Sequence, residues 1–218
     1  MNFIFSSAAF LILIAYHIHL IVKVRRSPES TSIGVNNNTR RIWVETIMAE
    51  KRDILAVQTL RNLSMASSLL ASTAIIVGLA IINVNLNPGG FGNAAQSVQT
   101  PGSHDEWLWN AKTMILAALF LSGFFNFTIA IRYYNHTAFM INTPADRDAS
   151  INPASVSETV NRGAFHYTLG MRAYYLAIPL SLWFFGETLL FAGATILLIL
   201  LGNMDHIKKQ RAPAGNAI

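Results

Sequence analysis

The chain has 218 residues, of which 52% are hydrophobic and 12% charged, with a net charge of +5 and no cysteine. Soluble domains are about 25% charged, so the deficit, gathered into long apolar runs, reads as a membrane protein. The missing cysteines exclude disulfides, thiolate catalysis and Cys-based zinc sites. The basic residues flank the apolar runs, which points to lipid headgroups and topology rather than nucleic acid.

A helical span needs about 20 apolar residues, and the first run to qualify is 3–22. No basic stretch precedes it, so it is not a cleavable signal peptide. Lys23, Arg25 and Arg26 follow it instead, which favours an outside N-terminus and a cytoplasmic continuation. His17 and His19 lie near its inner end. Two residues apart on a helix, they point about 200° apart and cannot share one metal. Residues 27–39, "SPESTSIGVNNNT", form a turn-rich linker, with Thr39 or Asn38 placed to cap a helix beginning near Arg40. From Arg40 to Leu86 there is no proline and one glycine, Gly78, so one long helix is expected to emerge from the cytoplasm and become the second span, 63–86.

That span contains "RNLSMASSLLASTAIIVG", in which hydroxyls interrupt an apolar stretch. At about 100° per residue, Ser64, Ser67, Ser68, Ala71, Ser72 and Gly78 share one sector, while Met65, Leu69, Leu70, Ile76 and Val77 fall outside it. A small-residue face lets helices approach closely in lipid; alternatively the serines line a polar path. Extended toward the cytoplasm, the same sector collects Arg61, Asp53, Glu50 and Thr46. Glu50 and Asp53, three apart, are like charges and call for a neighbouring cation, an arginine or a metal.

Residues 83–106 read as an irregular, mobile outer loop rich in Asn, Gly, Gln and Pro. Trp107 and Trp109 suit the outer interface, and Lys112 can snorkel to that level. The third span is 111–131. Asn126 within it can lock helix to helix, and Arg132, Tyr133 and Tyr134 anchor its inner end before Asn135 and His136. Ser155 and Glu158 form a capping box opening a helix near Val156, on which Glu158, Arg162 and His166 make one polar stripe. The fourth span is 173–201, interrupted by Pro179, Gly186 and Glu187. A single long, tilted or kinked helix is expected there rather than a chain that turns back near Gly186. Glu187 is then either a costly mid-bilayer carboxylate, paired for instance with Lys112, or a wetted group near the outer face.

These elements give an all-α fold: one membrane domain over 1–218, a four-transmembrane-helix bundle with cytoplasmic helical extensions, and no internal repeat. Residues 23–61 and 132–172 hold twelve Lys and Arg, against three in the tail (Lys208, Lys209 and Arg211). That imbalance predicts both termini outside the cytoplasm, with a bacterial inner membrane as the expected location.

Chemistry is sparsely marked. His17, His136 and His166 lie on the same side and are the candidates for a metal or haem site, with Glu50 and Asp53 as nearby carboxylates. There is no HExxH or ExxH pair, nucleophile elbow or P-loop, so no cofactor is required by the sequence.

The phrases "ILAVQTLRNLSMASSLLASTAI", "AIRYYNH" and "GMRAYYLAIPLSLWFFG", in that order, resemble a family of small integral membrane proteins of plants and bacteria, catalogued as domain of unknown function number five hundred and ninety-nine. The likeness runs from Tyr16-His17 to about Leu201. It implies an integral membrane protein and transfers no catalytic residue. In many relatives a proline follows "LWFFG" where this chain has Glu187. Three functions are compatible with the whole sequence. The first is a structural or accessory subunit that self-associates or joins a larger membrane complex. The second is an oligomeric channel or small-solute transporter with a serine-lined path, and the third a metal- or haem-binding redox protein. Membrane lipids are expected partners in each.

Overall fold

The computed structural model describes residues 2–86, 106–144, 147–148 and 150–205. All the regular structure among them is helical. Helix α1 runs Asn2–Arg26 and closes on Lys23, Arg25 and Arg26, cations that suit the negative end of the helix dipole. A short 3-10 turn, Pro28–Ser30, leads directly into α2, Ser32–Glu50. The linker expected over 27–39 is therefore mostly helix, and the cap is Thr31 rather than Thr39 or Asn38. The Thr31 hydroxyl accepts from the Gly34 N–H at 3.2 Å and itself donates to the Pro28 carbonyl at 2.9 Å. With both functions used, the side chain can be fully buried.

The single helix expected from Arg40 to Leu86 is two helices. Lys51 takes a left-handed conformation (φ 51°, ψ 44°) and its N–H returns to the Ile47 carbonyl, ending α2. The Arg52 N–H bonds the same carbonyl at 3.1 Å, and α3 then runs Asp53–Leu86. Only glycine adopts this conformation cheaply, so a lysine there gives no sequence sign of the break.

Helix α4 spans Glu106–Ile141 and α5 spans Pro153–Leu182. The α5 capping box uses Asn152, not Ser155, as its N-cap. The Asn152 carboxamide oxygen accepts from the Ala154 and Ser155 N–H groups, and the Ser155 hydroxyl accepts from the Asn152 N–H. Pro153 takes the first helical position, where its missing N–H costs nothing.

The fourth expected span is also corrected. The segment 173–201 is not one helix: α5 ends at Leu182 and α6 runs Glu187–Asp205. Between them the Phe184 and Phe185 N–H groups make short-range bonds to the Ser181 and Leu182 carbonyls. Gly186 sits at φ 148°, a conformation side chains disfavour, and its carbonyl accepts the Leu190 N–H that opens α6. The chain then doubles back. A Cβ on Gly193 would lie 3.3 Å from Pro179 Cα, and Arg172 reaches Asp205, so α6 packs antiparallel on α5.

Neighbouring pairs fix the remaining order. Gly163 meets Tyr134 and Gly170 meets Phe127, which makes α5 antiparallel to α4. A Cβ at Gly170 would fall 2.7 Å from the Phe127 ring, so the bare backbone is what lets these helices close. Gly78 against Phe120 and Leu121, with Ser64 bonded to Asn135, makes α4 antiparallel to α3. Phe5 lies against Phe191 and Tyr16 against Asp205, so α1 runs parallel to α6. Helix α2 lies along the first half of α5, where Arg40 and Asn37 bond Asn161.

Two main cores result. Val44, Ile47, Leu60, Tyr134, Val156 and Val160 join α2, α3, α4 and α5 at one end. Leu13, Trp183, Leu190 and Leu197 join α1, α6 and the α5–α6 turn. Four helical stretches are long and apolar enough to cross a membrane: Ile4–Arg26, Asp53–Leu86, Trp107–Ile141 and Glu187–Asp205. Asn2 and Asp205 end up at opposite ends of the bundle, with Asp205 at the end carrying α2, where the Met204 carbonyl accepts the Ser32 hydroxyl.

Candidate functional site

The hydroxyl-bearing face of α3 divides into two. Ser67, Ala71, Ala74 and Gly78 are buried and form the seam against α4. Ser68 and Ser72 are exposed and Ser64 is half-buried. These three line an open groove of about 770 Å3 between α3 and α4, together with Arg61, Met65, Leu69, Asn135 and Phe139. Three of these hydroxyls have partners within the chain. Ser67 donates to the Leu63 carbonyl at 2.8 Å, Ser68 to the Ser64 carbonyl at 2.9 Å, and Ser64 to Asn135 Oδ1 at 3.2 Å. Bonding to the carbonyl four residues back lets a serine face an apolar medium.

The other expected site residues are distributed. Glu50 pairs with Arg52 at 2.6 Å on the exposed α2–α3 turn. Asp53 opens α3 across that turn, so the two acids do not share a helix face and the required cation is an arginine. His17 Nδ1 donates to the Leu13 carbonyl at 2.8 Å, which leaves Nε2 an acceptor, buried and without a partner among the described residues. His136 is exposed on α4. His166 is engaged elsewhere: its Nδ1 donates to Asn126 Oδ1 at 3.0 Å and its ring stacks on Tyr133. Asn126 thereby ties α4 to α5, while its own Nδ2 donates to the Ser122 carbonyl. Among the described residues no three His, Cys, Asp or Glu are grouped to hold a metal ion, and the three histidines are not brought together. Arg162 and Glu158 form the expected i, i+4 pair.

Glu187 lies in the first turn of α6, at the end of the bundle away from α2. There it suits the positive end of the helix dipole and is within electrostatic reach of Lys112. Lys112 donates to the Trp183 carbonyl at 3.0 Å, with its ammonium 4.9 Å from the Trp183 ring. Glu187 is half-buried, and its Oε2 is shielded and without a hydrogen-bond partner among the described residues, so it sits at an end of the bundle without being fully wetted.

One polar cluster was not read from the sequence. Arg172 Nη2 donates to both Asp205 oxygens at 2.8 Å, and the Tyr16 hydroxyl donates to Asp205 Oδ2 at 2.6 Å. Arg172 is 9% and Asp205 7% exposed. This trio joins α5, α6 and α1 among apolar neighbours, where an unpaired charge would be costly. The available signal was a charge on either side of the Pro179 and Gly186 breaks: read as a hairpin, the sequence brings residue 172 back to residue 205. Read as one span, it keeps them far apart.

A family model described as "Protein of unknown function, DUF599" matches residues 4–210. No curated protein and no solved structure matches the chain.

Proposed function

The chain belongs to the DUF599 family of proteins of unknown function, and from that premise we propose that it is a non-catalytic assembly protein of the membrane, an accessory subunit whose copies associate through the projecting ends of α3 and α4. One observation carries this reading. At 1.5 Å per residue, the 34 residues of α3 and the 36 of α4 extend about 51 and 54 Å, against roughly 30 Å of hydrocarbon. With Trp107, Trp109 and Lys112 at one interface, about 20 Å of each helix projects beyond the other. That projecting end still exposes large apolar side chains, Ile54 at 79% and Leu55 at 46%. Outside lipid, such residues together favour burial against a partner surface, and a second copy supplies one at the same height.

The topology we propose has the start of α1 outside and Asp205 inside. The twelve cations of 23–61 and 132–172 then flank the inner end. Lys208, Lys209 and Arg211 follow Asp205 in sequence and add to that count rather than opposing it. Helix α5 is less apolar than the four span-length helices, but it runs antiparallel between α4 and α6, and we count it as a fifth crossing.

The test is the mass of the intact complex released from native membranes in mild detergent. A defined oligomer that Ile54→Glu with Leu55→Glu reduces to single chains supports the reading; a single chain in the unmodified protein overturns it. Conduction along Ser64, Ser68 and Ser72 would need a second copy to close the groove, and ion flux in liposomes that Ser68→Leu abolishes would favour that alternative.

A further inference from the structure

We propose that the groove between α3 and α4 is a binding site for one anionic phospholipid, whose phosphate is held by Arg61. Of the residues lining this groove, Arg61 is the only one that carries a formal charge. Its guanidinium is exposed and has no hydrogen-bond or ion-pair partner among the described residues, whereas Arg40, Arg41, Arg52, Arg162 and Arg172 are all engaged. Asn135 shares its carboxamide with Ser64 at the same level. Apart from Ser68, Ser72 and Tyr134, the remaining lining, Met65, Leu69 and Ile131 included, is apolar.

Height and chemistry select the occupant. Arg61 lies about 10 Å, or seven residues, from Ser68 along α3. With the anchors Trp107, Trp109 and Lys112 at the outer interface, the hydrocarbon ends close to Arg132 on α4 and Ser67 on α3. Arg61 then reaches the headgroup layer and Ser68 faces the ends of acyl chains. A phosphate oxygen suits a guanidinium through paired N–H donors. No carboxylate lines the groove, so a choline or ethanolamine ammonium finds no counter-charge there, and an anionic headgroup is preferred over a zwitterionic one. A second copy seated on this face by a two-fold axis normal to the membrane would set one Arg61 against the other. The groove therefore takes lipid, while the association proposed above uses the adjoining projecting ends. The Ser68 hydroxyl, satisfied by its own helix, lets acyl chains lie over it without loss.

The test uses the full-length protein, delipidated in detergent and titrated with phosphatidylglycerol, phosphatidylcholine of the same chains, or inorganic phosphate, with bound lipid counted by intact-complex mass spectrometry. Phosphatidylglycerol is expected to bind at least about fivefold more tightly than phosphatidylcholine, from one cation near an anionic headgroup. Arg61→Gln should abolish that preference, Arg61→Lys should retain most of it, and Arg41→Gln, on the solvent face of α2, should leave it unchanged. Equal binding of the two lipids, unchanged preference in Arg61→Gln, or displacement of phosphatidylglycerol by millimolar inorganic phosphate would each overturn the proposal. None of these outcomes depends on the oligomeric state.

Discussion

Arg172 and Asp205, thirty-three residues apart, meet through two hydrogen bonds of 2.8 Å, with both side chains about nine-tenths shielded from solvent. The pair closes the α5–α6 hairpin at the end away from its turn, and the Tyr16 hydroxyl extends it to α1. Removing one partner leaves the other charge buried and alone. Asp205→Ala is therefore expected to cost about 3–5 kcal/mol, and the Arg172→Met, Asp205→Leu double variant considerably less. Reversible unfolding in mixed micelles measures both; a double variant less stable than Asp205→Ala would contradict the account.

Ser67 and Ser68 are adjacent, yet their surroundings differ completely. Ser67 is fully buried in the α3–α4 seam and Ser68 is exposed in the groove, and each bonds its own helix. Ser67→Leu must force side chains into a filled seam and is expected to destabilise by about 1–3 kcal/mol. Ser68→Leu should change stability by less than about 0.5 kcal/mol. Thermal unfolding in detergent distinguishes them, and equal effects would mean that the face is not divided as described.

Gly170 permits the closest approach of α5 to α4, with the Phe127 ring 2.7 Å from where a Cβ would sit. Phe127 is fully buried and held on several sides, by Tyr167 and Tyr174 among others, so it has little room to yield. Gly170→Val is expected to lose about 1–3 kcal/mol despite the better helix propensity of valine. Pairing it with Phe127→Leu, which opens space, should recover part of that loss.

The turn at 183–186 is testable because the chain has no cysteine of its own. A single cysteine replacing Phe185, which is half-exposed in the turn, should react with a membrane-impermeant maleimide from the side opposite to one placed at Ser150. A residue in the middle of one unbroken span would be shielded from both sides. Absence of labelling at position 185 in intact membranes, with labelling restored by detergent, would argue for that unbroken span.

Apolar length and helical class were legible in the sequence because lipid imposes them directly: three of the four expected spans fall within α1, α3 and α4. The turns were harder to read. Lys51 adopts a glycine-like conformation without being glycine, so the α2–α3 break has no local mark. The Trp183–Gly186 turn is apolar throughout, and hydropathy alone runs through it. Pro179 was the wrong cue, since it lies inside α5, where it is tolerated three residues before the helix ends. In the small-residue sector of α3, angular position alone could not separate the serines that pack on α4 from those left open. The outer-loop reading of 83–106 falls largely on residues outside those described. Asp205 was passed over because its significance exists only once the chain has doubled back.

Helix α1 packs chiefly on α6, and Tyr16 waits for a partner 189 residues further along. During synthesis at about 5–20 residues per second, roughly ten to forty seconds separate the two. Throughout that interval the first helix must sit in the bilayer or at the insertion machinery with its Tyr16 hydroxyl unaccompanied. The first helix is thus sealed only when α6 arrives, and a chain truncated before Asp205 would release an incomplete, polar-faced first helix for quality control to find.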